Sequence, residues 1–151
     1  MARQAKINLM PFCAGVDTSN DHQQQYDLSM PWVVGQFIYA TDGVCIIRVK
    51  REVASCSCGS SVNVPKIGTL FERMKRVRQW RKCLPVAPDL LPYTNFNGKW
   101  LQEKYVSLLR RFSKLEWGEL DDESTSLVYF RFNGGAAIVM PVVIGTTEES
   151  S

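Results

Sequence analysis

Cysteine and histidine are the first residues in this sequence whose types suggest chemistry, because both bind zinc. The chain has five cysteines and one histidine, and a single serine separates Cys56 from Cys58. Paired ligands of structural zinc sites usually have about two to four residues between them, and no second close cysteine pair follows in the sequence. We therefore expect no metal site. An odd number of cysteines in a chain of this length also favours free thiols over a disulfide framework.

Residues suited to acid–base or nucleophilic catalysis are sparse. The one histidine, His22, lies in a polar N-terminal stretch, which removes most schemes that depend on imidazole. The acidic run Asp121-Asp122-Glu123 precedes a serine and is typical of a solvated loop. The sequence has no nucleophile-elbow, Walker A or dinucleotide-binding motif. We expect a non-catalytic protein without a cofactor, and an enzyme that uses a carboxylate or thiol is the least supported alternative.

Basic side chains concentrate in the middle of the chain, although the net charge is only +3. Two interpretations remain open for them: an ordinary solvated helix face, or a surface that neutralises nucleic-acid phosphates. Trp80 and Trp100 likewise suit either base stacking or core packing. The residues that the nucleic-acid interpretation selects are Arg73, Lys75, Arg76, Arg78, Lys82, Lys104 and Arg111.

Two turn dipeptides, each flanked by strand-forming residues, indicate the β-hairpins of the fold. Asp42-Gly43 separates residues 36–40 from residues 44–50, and Asn133-Gly134 separates two further apolar runs. Both dipeptides favour two-residue hairpins, and we expect Asp42-Gly43 to form a type I′ turn. A short strand near residues 62–64 and another within residues 114–120 complete the predicted sheet.

Two helices are predicted between the hairpins. Thr69 and Glu72 have the spacing of a capping box, which indicates a helix over residues 69–82. Asn97 is a candidate cap for a second helix over residues 98–114, and an extended connector rich in proline joins the two. The apolar face of the second helix consists of Leu101, Tyr105, Leu108, Leu109 and Phe112.

The fold class that follows is α+β, with two helices packed on an antiparallel β-sheet in a single domain over residues 1–151. We expect residues 1–31 to be loosely ordered and residues 145–151 to fray, because both are polar and aperiodic. The composition, 45% hydrophobic and 22% charged, is that of a soluble globular protein. No apolar run approaches the roughly 20 residues of a membrane span, and the N-terminus lacks a secretory signal, so we expect a cytoplasmic protein without membrane partners.

Two stretches resemble the bacterial DNA polymerase sliding clamp, the β processivity factor. The first is Ala40-Thr41-Asp42-Gly43, which is similar to the "ATDGHR" turn of clamp domains. The second runs from "NGKWLQEKYVSLLRRF" through "LVYFRF" to "AIVMPVVI" and resembles the closing segment of the last clamp domain. The resemblance covers residues 36–50 and 97–144 and also extends to short phage-type proteins with a "YATDG" hairpin. It implies a DNA-clamp-like fold.

The resemblance further implies a cleft that captures a short linear peptide from replication proteins. Matching positions assign one wall to Thr41 and Gly43, and the other wall to Val139, Met140 and Pro141. The chain differs from the family pattern after each motif. Val44 and Cys45 replace a His-Arg pair, and Val143 replaces an arginine.

The leading functional hypothesis is a non-catalytic accessory of DNA replication, or a protein-interaction module, that resembles one clamp domain. The alternative is a small nucleic-acid-binding protein that uses basic helices 69–82 and 98–114. A clamp ring needs about six such domains, so one chain of this length either assembles into a symmetric ring or acts as a monomer.

Overall fold

The computed structural model describes residues 7–13, 31–54, 68–82, 92–96, 98–120 and 127–142. These residues form a six-stranded sheet, a two-stranded sheet, two α-helices and short 3-10 turns. The strands are β1 (Trp32–Val34), β2 (Phe37–Thr41), β3 (Cys45–Lys50), β4 (Tyr93–Phe96), β5 (Lys99–Gln102), β6 (Glu116–Gly118), β7 (Val128–Phe132) and β8 (Gly135–Val139), and the helices are α1 (Gly68–Glu72) and α2 (Glu103–Leu109). This architecture confirms the α+β prediction.

The six-stranded sheet has the order β1-β2-β3-β8-β7-β6, and every neighbouring pair is antiparallel. An N-terminal meander of three strands therefore meets a C-terminal meander of three strands at the β3–β8 pair. In that pair Cys45 lies opposite Val139, and Val49 lies opposite Gly135. Residues 86 to 94 positions apart in the sequence are thus paired at the centre of the sheet.

Both faces of β7 and β8 are largely buried, which explains why their sequences are almost continuously apolar rather than alternating. In β7, Phe130 faces a core cluster that contains Tyr105 and Leu109 of α2. The neighbouring Tyr129 faces a second cluster that contains Phe71 of α1. The two helices consequently cover opposite faces of the same sheet, and the β4–β5 hairpin lies on the α2 face, where Phe96 packs against Phe130.

The prediction of one helix over residues 69–82 is wrong in its length. α1 ends at Glu72, a 3-10 turn follows over Arg73–Arg76, and the chain is extended from Val77 onward. The Arg81 N–H donates to the Trp117 carbonyl at 2.8 Å, and the Trp117 N–H donates to the Arg81 carbonyl at 2.9 Å. These bonds satisfy the backbone of the edge strand β6, which would otherwise lack partners. The tertiary pairing therefore overrides the local helical pattern.

The prediction of a helix over residues 98–114 is also partly wrong. Its first residues form the second strand of the β4–β5 hairpin, in which Phe96 pairs with Lys99. Gly98 has φ +96°, as this turn requires, while the predicted cap Asn97 lies outside the described residues. Asn97-Gly98 is itself a dipeptide typical of hairpins. The chain accordingly continues as β5 over Lys99–Gln102, and α2 begins only at Glu103.

Residues 7–13 are packed, although they belong to the segment expected to be loosely ordered. Leu9 and Phe12 are buried in the same cluster as α2, and the Ile7 N–H donates to the Val53 carbonyl at 2.7 Å. Residues 1–6 and 14–30 of that segment lie outside the described residues, as do the strand predicted near residues 62–64 and the tail over residues 145–151.

Candidate functional site

The turn after β2 and the end of β8 meet at one corner of the sheet. Cys45 and Val139 are paired, and the Met140 N–H donates to the Val44 carbonyl at 2.8 Å. This bond extends the β3–β8 ladder by one step, so that Gly43 and Pro141 flank the same junction. The two sequence motifs that carry the clamp resemblance are therefore neighbours in space. We refer to residues 41–45 and 139–142 as the corner site.

The corner turn is a two-residue hairpin, but it differs in type from the predicted turn. Thr41 pairs with Ile46, and the Asp42 N–H donates to the Cys45 carbonyl at 3.4 Å. The central residues are therefore Gly43 and Val44. Only Gly43, with φ +98°, has a positive φ in this turn, as expected of type II′ rather than type I′.

The side chain of Asp42 determines this geometry. Its Oδ1 accepts hydrogen bonds from the N–H groups of Val44 at 2.9 Å and Cys45 at 3.0 Å. The Thr41 hydroxyl oxygen accepts a further bond from the Gly43 N–H at 3.0 Å. Local bonds of this kind are typical of Asp and Thr in turns. They replace the main-chain bonds that the tight turn leaves unmade.

The second carboxylate oxygen of Asp42 connects the turn to α2. Asp42 Oδ2 accepts a hydrogen bond from the hydroxyl of Tyr105, a residue 63 positions away. Tyr105 is only 3% exposed. Its pKa is raised, first because burial disfavours the phenolate and then because the hydroxyl donates to the Asp42 carboxylate. The sequence offers no specific signal for this contact, since Tyr105 merely occupies the apolar face of a helix.

Cys45 lies under the turn and is fully buried. Burial raises the pKa of its thiol, and the negative charge of Asp42 raises it further. Because the thiolate is the nucleophilic form, Cys45 is not a nucleophile at neutral pH.

The residues of the corner site differ in how much of each side chain a partner can reach. Thr41 and Val139 are buried, so they support the wall from behind. Gly43 is exposed and Pro141 is half-buried, while Met140 has 48% of its surface exposed. Sequence reasoning did not place Trp100 here, although the Val142 N–H donates to its carbonyl at 2.9 Å.

The seven basic residues predicted to contact nucleic acid belong to two surfaces rather than one. Those of residues 73–82 follow α1 and lie on its side of the sheet, whereas Lys104 and Arg111 belong to α2 and its C-terminal turn, on the other face. Trp80, a candidate for base stacking, is half-buried, and the Arg131 guanidinium lies 4.3 Å from its ring centroid. That face of the Trp80 ring is therefore occupied.

Comparison of the chain with protein-family models, with curated proteins and with solved structures finds no match.

Within the described ranges, no group of three or more histidine, cysteine or acidic side chains is placed so that it could hold a metal ion. Of the residues weighed for zinc, Cys13 is described and half-buried, whereas Cys56, Cys58, Cys83 and His22 lie outside those ranges. Neither α1 nor α2 has the length and apolar composition needed to cross a bilayer.

Proposed function

We propose that this protein is a non-catalytic interaction module that binds a short linear peptide at the corner site, as an accessory of DNA replication. The observation that carries the proposal is the β3–β8 pairing, which brings the "ATDG" turn and the "VMP" segment to one junction with Met140 exposed. The clamp resemblance supplies the peptide class, namely the linear motifs of replication proteins. The proposed peptide binding is connected with the clamp family through those two segments alone.

The chemistry of the corner site suits such a ligand. Met140 is a large apolar side chain in contact with solvent, and methionine adapts its shape to varied partners. Val44 and Pro141 are half-buried beside it and extend the apolar surface. The bonds of Asp42 to the turn and to Tyr105 hold one wall in place before any ligand arrives. Such preorganisation lowers the entropy cost of binding.

A monomer fits the sheet edges better than a ring does. A ring built by continuing the sheet from copy to copy needs two complementary edges on each subunit. At β6, the outward N–H and carbonyl of Trp117 are already bonded to Arg81. We therefore expect light scattering coupled to size-exclusion chromatography to report a mass near 17.1 kDa, and a six-copy species would contradict this expectation.

The peptide proposal is tested by substituting Met140. Met140→Asp places a charge at the centre of the apolar surface, where desolvating it on binding is unfavourable. We expect the variant to lose detectable binding of a fluorescent clamp-binding peptide while its unfolding midpoint stays unchanged, because the side chain is exposed.

Met10→Asp is the matched control. Met10 is 44% exposed and belongs to the N-terminal turn that packs near Phe112, far along the sheet from the corner site. Peptide affinity should survive this change. Equal loss in both variants, or no binding by the unmodified protein, would reject the proposal.

A second candidate function, nucleic-acid binding, has one favourable observation. Four basic residues that lie close together in the chain after α1, namely Lys75, Arg76, Arg78 and Lys82, are exposed. Charge reversal of Arg76, Arg78 and Lys82 to glutamate should then abolish a DNA affinity that decreases steeply with salt. The matched control reverses Lys104 and Arg111 on the opposite face and should leave that affinity nearly intact. Equal effects would exclude a specific surface.

A further inference from the structure

The guanidinium of Arg48 lies close to two aromatic rings on the α1 face of the sheet. Its guanidinium carbon lies 4.3 Å from the ring centroid of Phe37 and 4.5 Å from that of Phe71. Stacking of this kind is favourable for a planar, weakly hydrated guanidinium. Contact with the two rings therefore restrains the guanidinium without using its N–H donors.

Most of those donors have no protein acceptor among the described residues. Arg48 Nη1 donates to the Tyr39 hydroxyl at 3.4 Å, which is long for a hydrogen bond. No ion pair joins Arg48 to a carboxylate within the described ranges. A guanidinium has five N–H groups. A partly buried cation that two rings restrain, and most of whose N–H donors have no acceptor among the described residues, is suited to an external oxyanion.

Lys50 supplies a second positive charge on the same face. Alternation along β3 places Arg48 and Lys50 on one side and the buried Ile47 and Val49 on the other. Residues two apart on a strand are separated by roughly 7 Å between Cα atoms. Lys50 lies opposite Phe37 and is exposed, without an ion pair among the described residues.

We propose that Arg48 and Lys50 form a binding site for a phosphate group. The arginine fork matches two phosphate oxygens, and the lysine ammonium acts as a point charge on a third. Two cations favour a phosphate, with up to two negative charges, over a carboxylate with one. The site is at the Lys50 end of β3, whereas the corner site is at the Cys45 end. It is therefore independent of the peptide proposal.

Glu72 of α1 opposes the bound anion. Its pKa is lowered mainly by the hydrogen bond from Lys75 at 2.9 Å, and Arg48 makes a smaller contribution through its charge. The carboxylate is therefore ionised and close enough to Arg48 to sense its charge. It should repel a phosphate at neutral pH, so neutralising Glu72 should improve binding.

The site is tested by nuclear magnetic resonance titration of the full chain with inorganic phosphate and, separately, with a short single-stranded oligodeoxynucleotide at constant ionic strength. We expect saturable shifts of the Arg48 side-chain N–H and of the amides of residues 48–50. Shifts with inorganic phosphate support a site for a free or monoester phosphate. Shifts with the oligonucleotide alone support a phosphodiester. The absence of shifts in both titrations overturns the proposal.

Four variants separate a built site from general surface charge. Lys50→Gln should weaken binding about tenfold, as loss of one hydrogen bond to a charged group predicts. Arg48→Lys keeps the charge but loses the planar fork and should weaken binding by a similar factor. Glu72→Gln should tighten it about twofold to fivefold. Lys104→Gln, the control, removes an exposed charge on the opposite face of the sheet and should have no effect.

Two outcomes of the variant series would overturn the site. The first is a loss in Lys104→Gln equal to that in Lys50→Gln, which would indicate general attraction to positive charge anywhere on the surface. The second is full affinity in Lys50→Gln, whose exposed side chain can be changed without disturbing the core. Full affinity in Lys50→Gln would overturn the site even if Arg48→Lys disturbs the packing of Phe37 and Phe71.

Discussion

Replacement of Asp42 by alanine is expected to lower the free energy of unfolding by about 3 kcal/mol, the sum of the hydrogen bonds that its carboxylate accepts. Two of these bonds come from the backbone N–H groups of Val44 and Cys45, and the third comes from the buried Tyr105 hydroxyl. Removing the carboxylate leaves all three donors without their partner. Urea denaturation followed by circular dichroism measures the change.

Asp42→Asn is the matched control for this prediction. The amide keeps an acceptor oxygen for the two backbone N–H groups, so we expect a loss of only about 1 kcal/mol. Tyr105→Phe removes one hydrogen bond and should lower the free energy of unfolding by a similar amount. The double variant Asp42→Asn with Tyr105→Phe should lose less than the sum of the two single losses, because both changes remove the same contact. If alanine and asparagine at position 42 are equally tolerated, the carboxylate does not hold the turn.

Gly135→Ala is expected to destabilise the protein by a similar amount, about 3 kcal/mol, for a steric reason. Gly135 begins β8 opposite Val49, at the end of the β3–β8 pair far from the corner site. A Cβ at this position would overlap the carbonyl oxygen of Arg48 and would lie 2.8 Å from Val49 Cγ1 and 2.9 Å from Phe132 Cε2. The backbone atom cannot move aside as a flexible side chain can, so the two central strands must separate locally.

Gly68→Ala is the control for the glycine prediction. A Cβ at Gly68 would meet only the Tyr39 hydroxyl, at an ordinary contact distance of 3.7 Å. Because Gly68 begins α1, alanine should leave the free energy of unfolding unchanged or raise it by up to about 1 kcal/mol. Thermal unfolding of both variants provides the comparison. A midpoint for Gly135→Ala equal to that of the unmodified protein would show that β3 and β8 are not as tightly apposed as described.

Local sequence signals were sufficient for two of the hairpins and for the fold class. Asp42-Gly43 and Asn133-Gly134 each join paired strands, because a glycine with positive φ between strand-forming runs leaves few alternatives. The same signal was present at residues 97–98 but competed with a helical spacing that includes Leu101 and Tyr105. Both residues are indeed buried, Leu101 from a strand and Tyr105 from a helix. The spacing of apolar residues thus identified which side chains are buried, but not whether each belongs to a helix or a strand.

Contacts between distant residues could not be predicted from local patterns. Arg81 pairs with Trp117 instead of continuing the first helix. No residue near Arg81 in the sequence predicts this pairing. The same holds for the Asp42–Tyr105 hydrogen bond and for the stacking of Phe71 on Arg48. Helical spacing alone also left open which sheet face each helix covers. The residues of the corner site were implied by the resemblance to the sliding clamp, and only tertiary structure separated the exposed Met140 from the buried Val139.

The most direct test of the corner site is a nuclear magnetic resonance titration of the full chain with a clamp-binding peptide. We expect saturable shifts in the amides of residues 43–45 and 139–142, with smaller shifts at Tyr105 through its bond to Asp42. The signals of residues 75–82, on the side of the sheet that α1 covers, should remain in place. Saturable shifts centred on residues 75–82, or no shifts at any peptide concentration, would contradict a peptide-binding function for this surface.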